Sequence, residues 1–224
     1  VTDTHAHLLL FTTRGRVYGV RVYEIPEANR TSRGKAVVNL IALNPDEKVT
    51  SAIPVSSFDP VKTKDTSLVL CTRNGQIKRT ALSEFDDIRK SGIIAIGLDE
   101  GDILVDAKLS TDKAEVLIGT KAGMCIRFGQ EDVRLMGRGA GGVRGIRLDK
   151  DDQVVGMEVT TQGRNETLVT ACELGFGKRT ELSEYRDTSR GGKGVITIKT
   201  TDRNGPVIGI KLVTDTDDLM LMTE

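Results

Sequence analysis

One pattern is written four times along this chain of 224 residues, and it constrains the fold more than any other feature. A short apolar run, a glycine turn and a basic return segment appear as LLLFTTRGRVYGV (8–20), LVLCTRNGQIKRT (68–80), VLIGTKAGMCIRF (116–128) and LVTACELGFGKRT (168–180). The turn glycines Gly15, Gly75, Gly123 and Gly175 stand 48 to 60 residues apart. A glycine-rich basic segment travels with each copy: RTSRGKAVVNL (30–40), IRKSGIIAIGL (88–98), GRGAGGVRGIRL (137–148) and TSRGGKGVITIK (188–199). A fifth copy starts at LMLMT (219–223) and is cut off. A period near 50 residues predicts an array or propeller, in which each unit buries its apolar face only against its neighbours.

Within a repeat, the four-residue apolar runs LLLF, LVLC, VLIG and LVTA are bounded by turn signals and predict strands buried on both faces. Asn74-Gly75 is the strongest hairpin signal, because a type I′ turn needs positive φ at both central residues. The return strand alternates, so Ile77 should face in while Gln76 and Lys78 face out. The basic segment leads into a second strand run (AVVNLIAL, IIAIGL, VRGIRL, VITIK), and an acidic turn leads to a further strand such as ILVDAKL (103–109) or VVGMEV (154–159). The reading is all-β: one propeller-like domain of roughly four-stranded blades, in repeats at about 8–60, 61–109, 110–160 and 161–213, with a partial one at 214–224.

Lys and Arg total 32 and Asp and Glu total 32, so the net charge is zero and no polyanion partner is implied by the sum. The distribution reads differently. Arg134 to Arg147 carries four arginines and no acid, while acids follow at Asp46 and Glu47, at Asp99 to Asp102, and at Asp149 to Asp152. Charge alternates in phase with the repeat. A periodic fold would sort it onto separate surfaces, where local potential decides the partner. Aromatics are only 4% and Trp is absent, which argues against an aromatic platform for stacking single strands. Cys71, Cys125 and Cys172 have no paired spacing and read as buried free thiols of a reducing cytoplasm. No apolar stretch reaches the roughly 18 residues that span a bilayer. The abrupt start at Val1 reads as a piece excised from a longer chain.

Signals of catalysis are weak. Gly137-x-Gly139-x-Gly141-Gly142 lacks the Lys-Ser/Thr and the βαβ context of a phosphate loop. His5 and His7 have no third ligand at useful spacing, so no metal site is expected. Tyr18, Tyr23 and Tyr185 carry no nucleophile context, and there is no Ser/His/Asp set or carboxylate pair, so no catalytic residue is assigned.

The runs FTTRGRVYGVRVYEIPEANRTSRGKAVVNLI (11–41), CTRNGQIKRTALSEFDDIRKSGIIAIGLDEGD (71–102) and RLMGRGAGGVRGIRLDKDD (134–152) carry a resemblance to a known family. Over essentially its whole length, the chain resembles the C-terminal DNA-wrapping domain (β-pinwheel) of gyrase A, from the type IIA topoisomerase DNA gyrase. The equivalent domain of the topoisomerase IV A-type subunit is the nearest competitor. The resemblance implies a ring or shallow spiral with more blades than this chain carries, whose outer edge bends duplex DNA and presents a second segment for strand passage. It implies no cofactor in this domain. The partners it implies are double-stranded DNA, the rest of gyrase A, and the ATPase B subunit of an A2B2 holoenzyme, in the cytoplasm at the nucleoid. The family's Gln-Arg-Arg-Gly-Gly-x-Gly box is not in the chain. Its nearest match is Ser189-Arg190-Gly191-Gly192-Lys193-Gly194.

Bending duplex without choosing a sequence needs phosphate contacts spaced along a curve. The recurring basic segments offer Arg33 and Lys35, Arg89 and Lys90, Arg138, Arg144 and Arg147, then Arg190 and Lys193, on what should be one belt with the acids at 46–47, 99–102 and 149–152 off it. Glycines beside them let backbone N–H groups approach phosphate. About two phosphates per blade would give a log–log salt slope of about −7. A secondary set on the return strands (Arg14, Arg16, Arg73, Lys78, Arg79, Lys121, Arg127, Lys178 and Arg179) either extends the DNA path or is a solvated blade face. A protein-interaction propeller is the competing function. It would lack the steep salt dependence.

Overall fold

The apolar runs and their return segments are antiparallel hairpins in all four repeats of the computed structural model, which describes residues 2–29, 31–88, 91–161 and 163–221. Gly15, Gly75, Gly123 and Gly175 close the hairpins at φ of +68°, +82°, +85° and +80°, a left-handed conformation that a Cβ would strain. Repeat 1 supplies β1 (His7–Thr12), β2 (Arg16–Arg21) and β3 (Val49–Val55). Repeat 2 supplies β4 (Ser67–Thr72), β5 (Gln76–Ala81), β6 (Ile93–Ile94) and β7 (Leu104–Ser110). Repeat 3 supplies β8 (Ala114–Thr120), β9 (Met124–Gly129), β10 (Val143–Arg144) and β11 (Val154–Thr161). Repeat 4 supplies β12 (Thr167–Cys172), β13 (Gly177–Glu181), β14 (Val195–Ile196) and β15 (Val207–Val213). Helical structure among the described residues is confined to single 3-10 turns, and no helix is long and apolar enough to cross a membrane.

The blades stack on each other's faces. In β4, Leu68 and Leu70 pack with Leu9, Phe11 and Val17 of repeat 1, while Val69 and Cys71 pack with Val116 and Ile118 of repeat 3. Successive side chains of a strand point to opposite faces, so a central strand between two blades must be apolar at every position. That is the physical content of the LVLC run. β1 has a neighbouring blade on one face only. Its other face, with Leu10, Tyr18 and Val20, is covered by Ile41, Val37 and Leu40. This accounts for a departure from the expected second strand run in repeat 1, where Val37–Asn39 is a 3-10 turn.

The repeats exchange strands. β6 of repeat 2 pairs with β2, β10 of repeat 3 with β5, and β14 of repeat 4 with β9. Each of the first three blades is thus a four-stranded sheet completed by the repeat that follows, whereas the fourth sheet, β13-β12-β15, has three strands. The expected all-β fold of roughly four-stranded blades is thus present, with the fourth strand of each of the first three blades supplied by the repeat that follows. The exchanged segment also seals the hairpin turn. A Cβ on Gly75 would lie 2.9 Å from the Ile146 carbonyl oxygen, and one on Gly123 would lie 2.1 Å from that of Ile198. Ile96 and Ile146, in the exchanged segments, are 1% exposed, a burial that stabilises by about 2–3 kcal/mol each.

At the opposite edge of the blades, β7 packs on β3 and β11, and β11 packs on β15. Lys108 bridges there to Glu158 at 3.2 Å, and Lys211 reaches the same carboxylate at 3.0 Å. Burial pulls the Lys108 ammonium down, but Asp106 and Glu158 outweigh it and raise its pKa. The three cysteines are free and buried, and burial pushes the Cys125 thiol up to about 12.

Candidate nucleic-acid interface

The glycine-rich basic segments of repeats 2, 3 and 4 lie on the edge where strands are exchanged, and each is pinned by the blade it completes. In repeat 3, Met136 N donates to Arg79 O at 2.8 Å, and Gly142 at φ +93° approaches β5 so closely that a Cβ would sit 2.5 Å from Ile77 O. In repeat 4, Thr188 N donates to Arg127 O at 3.1 Å, and a Cβ on Gly194 would sit 2.2 Å from Cys125 O. Arg16 Nη2 holds the repeat 2 segment through the carbonyls of Ser91 (2.8 Å) and Gly92 (2.9 Å). Glycine at these contacts is therefore a requirement of backbone approach.

The segments are also joined to one another. Gly97 N donates to Ala140 O at 3.1 Å, linking repeat 2 to repeat 3. Gly191 N donates to Gly145 O at 2.6 Å, Arg147 N to Gly192 O at 2.8 Å, and Arg190 Nη1 to Arg144 O at 3.1 Å, linking repeat 3 to repeat 4. The result is a continuous backbone ridge across three repeats. Arg144, Arg147 and Lys193 are exposed on it, and Arg138 and Arg190 are half-buried in it. Arg33 and Lys35 are exposed, but no hydrogen bond among the described residues ties 31–36 to this ridge. Arg89 and Lys90 lie outside the described residues.

The expected separation of acids from the belt holds only in part. Asp149 pairs with Lys193, and Asp132 accepts from Arg190 N at 3.0 Å, so both acids meet the ridge. Others turn inward to serve the hairpins. Asp102 Oδ1 accepts from Asn74 N at 3.0 Å and Asp152 Oδ1 from Ala122 N at 2.9 Å. Glu47 is buried. Burial pushes its carboxyl pKa up, but hydrogen bonds from Thr12, Asn44 and Tyr18 overcome that and hold it below the usual range. These acids fasten the turns, a role that sequence reasoning misses. The available signal was one acid in each acidic turn, 28 to 30 residues after Asn74 or Ala122.

The secondary basic set divides sharply. Arg127 binds Glu115 bidentately (2.8 and 3.0 Å from Nη2) and reaches the Leu182 carbonyl at 2.7 Å, so it is a structural tie between blades. Arg16 is committed to the Ser91 and Gly92 carbonyls, Arg73 Nη2 donates to Gly101 O at 2.5 Å, and Arg79 is half-buried. Arg14 is exposed but held by Asp46 at 2.5 and 2.6 Å, and Arg179 by Asp215. Lys121 and Lys178 are exposed. Lys78, expected to face out, is fully buried: Nζ donates to the carbonyls of Ala95 (2.6 Å), Gly137 (3.0 Å) and Arg138. Burial pulls its pKa down to about 8, with Glu84 opposing and Arg138 adding to the fall. The strand-period reading failed there because an exchanged segment covers the face that a lone hairpin would expose.

Comparison with known proteins agrees with this geometry. The family model described as the DNA gyrase C-terminal domain, beta-propeller, matches residues 6–56, 66–111, 114–161 and 166–214. The DNA gyrase A subunit of Haloquadratum walsbyi is 40% identical over 223 residues, and that of Escherichia coli K12 is 42% identical over 224; each match covers 100% of this chain but only 26% and 25% of those relatives. The chain thus spans about a quarter of the curated relatives it matches. Among solved structures, a topoisomerase IV C-terminal domain superposes with a TM-score of 0.84 at 28% identity, covering 95% of this chain and 65% of that one. A gyrase A C-terminal domain superposes at 0.79, also 28% identical, covering 96% and 68%. Shape does not separate the two enzymes, whereas the sequence matches at 40% and 42% identity are to gyrase.

Proposed function

We propose that this chain, which belongs to the DNA gyrase C-terminal β-propeller domain family, binds duplex DNA along its glycine-arginine ridge and bends it. The observation that carries this reading is the hydrogen-bonded ridge itself, which strings Arg138, Arg144, Arg147, Arg190 and Lys193 along consecutive blades. Phosphate contacts made this way carry little sequence information. Smooth bending of a 20–30 bp site costs of order 1–6 kcal/mol, which a set of charge contacts offsets. The Lys193–Asp149 pair is exposed and worth less than about 1 kcal/mol, so a phosphate displaces Asp149 readily. In this reading the domain is not itself catalytic and uses no cofactor. It delivers DNA to the rest of gyrase A, which works with an ATPase B subunit in an A2B2 enzyme in the cytoplasm.

The test is a salt titration of duplex binding. Five ridge cations predict a log–log slope of about −4 to −5, with affinity rising with duplex length until the ridge is filled. A slope near zero would overturn the reading in favour of a protein-binding propeller. Arg138→Ala with Arg144→Ala should weaken all duplex sequences about equally and lower the slope by about 2.

A further inference from the structure

Lys78 is the only lysine without exposed surface among the described residues, and the fold does not demand a lysine there. The same position beside the exchanged strand is Tyr18 in blade 1 and Ile126 in blade 3, both sealed in apolar clusters. What distinguishes Lys78 is the identity of its acceptors. Ala95 belongs to the ridge segment of repeat 2, and Gly137 and Arg138 belong to that of repeat 3. An ammonium has three N–H donors, and here each meets one carbonyl. Repeats 3 and 4 are joined along the ridge by three hydrogen bonds, whereas Gly97 N to Ala140 O is the single backbone bond between the ridge segments of repeats 2 and 3 among the described residues. Lys78 supplies what that junction otherwise lacks.

We propose that Lys78 is a positioning residue for DNA binding: without touching the duplex, its ammonium locks the ridge segments of repeats 2 and 3 together and so presents Arg138 beside Arg144. The proposal rests on the DNA-binding reading above. Its test compares the wild-type chain with Lys78→Met, Arg138→Ala and the double variant, by salt titration of binding to a duplex of about 40 bp. Lys78→Met should weaken binding about tenfold and lower the salt slope by about 1, although Lys78 contacts no phosphate. In the Arg138→Ala background the same change should cost less than about twofold, because coupled residues are non-additive. A folded Lys78→Met chain with wild-type affinity and slope overturns the proposal, as does an additive double variant. If Lys78→Met does not fold, the wild-type chain labelled with 15N-lysine decides. The buried Nζ resonance should shift on duplex addition, and one that stays fixed at saturation overturns the proposal. Absence of duplex binding by the wild-type chain overturns the DNA reading itself, and the proposal with it.

Discussion

Blades 2 and 4 carry the same return tripeptide, Lys78-Arg79-Thr80 and Lys178-Arg179-Thr180, and they end in opposite surroundings. On β5, Ile77 and Lys78 are fully buried under Val143 and the residues on either side of it, Gly137 to Gly142 before it and Gly145 after it. On β13, Gly177, Lys178 and Arg179 are exposed, and Leu174 and Phe176 beside the turn are 55% and 42% exposed. A Cβ on Gly75 would touch Ile146, whereas one on Gly175 would meet nothing within 4 Å. The hairpins themselves are alike. The difference is the exchanged strand, which blade 2 receives from repeat 3 and which β13 lacks among the described residues. Burial in this fold is therefore conferred by the next repeat and cannot be assigned from a repeat's own residues.

The largest expected break in the comparison comes from the turn glycines. Gly123→Ala and Gly175→Ala both place a Cβ at positive φ, costing about 1–2 kcal/mol. Only Gly123→Ala also drives it to 2.1 Å from the Ile198 carbonyl oxygen. It should lose about 3 kcal/mol more than Gly175→Ala, measured by denaturant midpoints; equal losses would mean that the exchanged segment does not seal the turn.

A smaller contrast is expected at the lysines. Lys78→Met takes the donor from the buried Ala95 carbonyl and the half-buried Arg138 carbonyl, while Gly137 O keeps Ala140 N–H; it should cost about 2 kcal/mol, while Lys178→Met should stay within about 0.5 kcal/mol. The smallest effect is one of pH. Lys78 titrates near 8 when folded, below the 10.5 of a free lysine, so between those values the unfolded chain holds more protons. Stability from this group therefore rises as pH climbs from about 8 toward 10, by a little under about 2 kcal/mol at pH 9.5. Denaturant midpoints of wild type and Lys78→Met at pH 7 and 9.5 check this. The variant should lack the rise.

The period, the hairpins, the turn glycines and the apolar runs were legible in the sequence because each depends on neighbours only a few residues away. Leu68 to Cys71 reads as a doubly buried strand from its own four letters. The ridge cations Arg138, Arg144, Arg147, Arg190 and Lys193 were found because basic residues recur in phase with glycine. What was missed depends on partners a full repeat away. Lys78 and Arg127 look like solvated charges on an alternating strand until Gly137 and Leu182 are brought over them. In repeat 1, Ala36 stands where the exchanged strands of the later repeats are preceded by Gly92, Gly142 and Gly194, all at positive φ, and its own φ is −62°. That substitution was the readable sign that residues 37–41 do not follow the pattern of the others.

Strand exchange also has a consequence in time. A chain grows from its N-terminus at about 5–20 residues per second, so β5 leaves the ribosome about 3 to 13 seconds before β10 can complete its sheet. Throughout that interval Ile77 and Lys78 are as bare as Gly177 and Lys178 are on β13, and the edge offers unpaired backbone groups to any strand nearby. During synthesis the most recently made blade is always the open one, and each new repeat closes the blade before it while exposing its own.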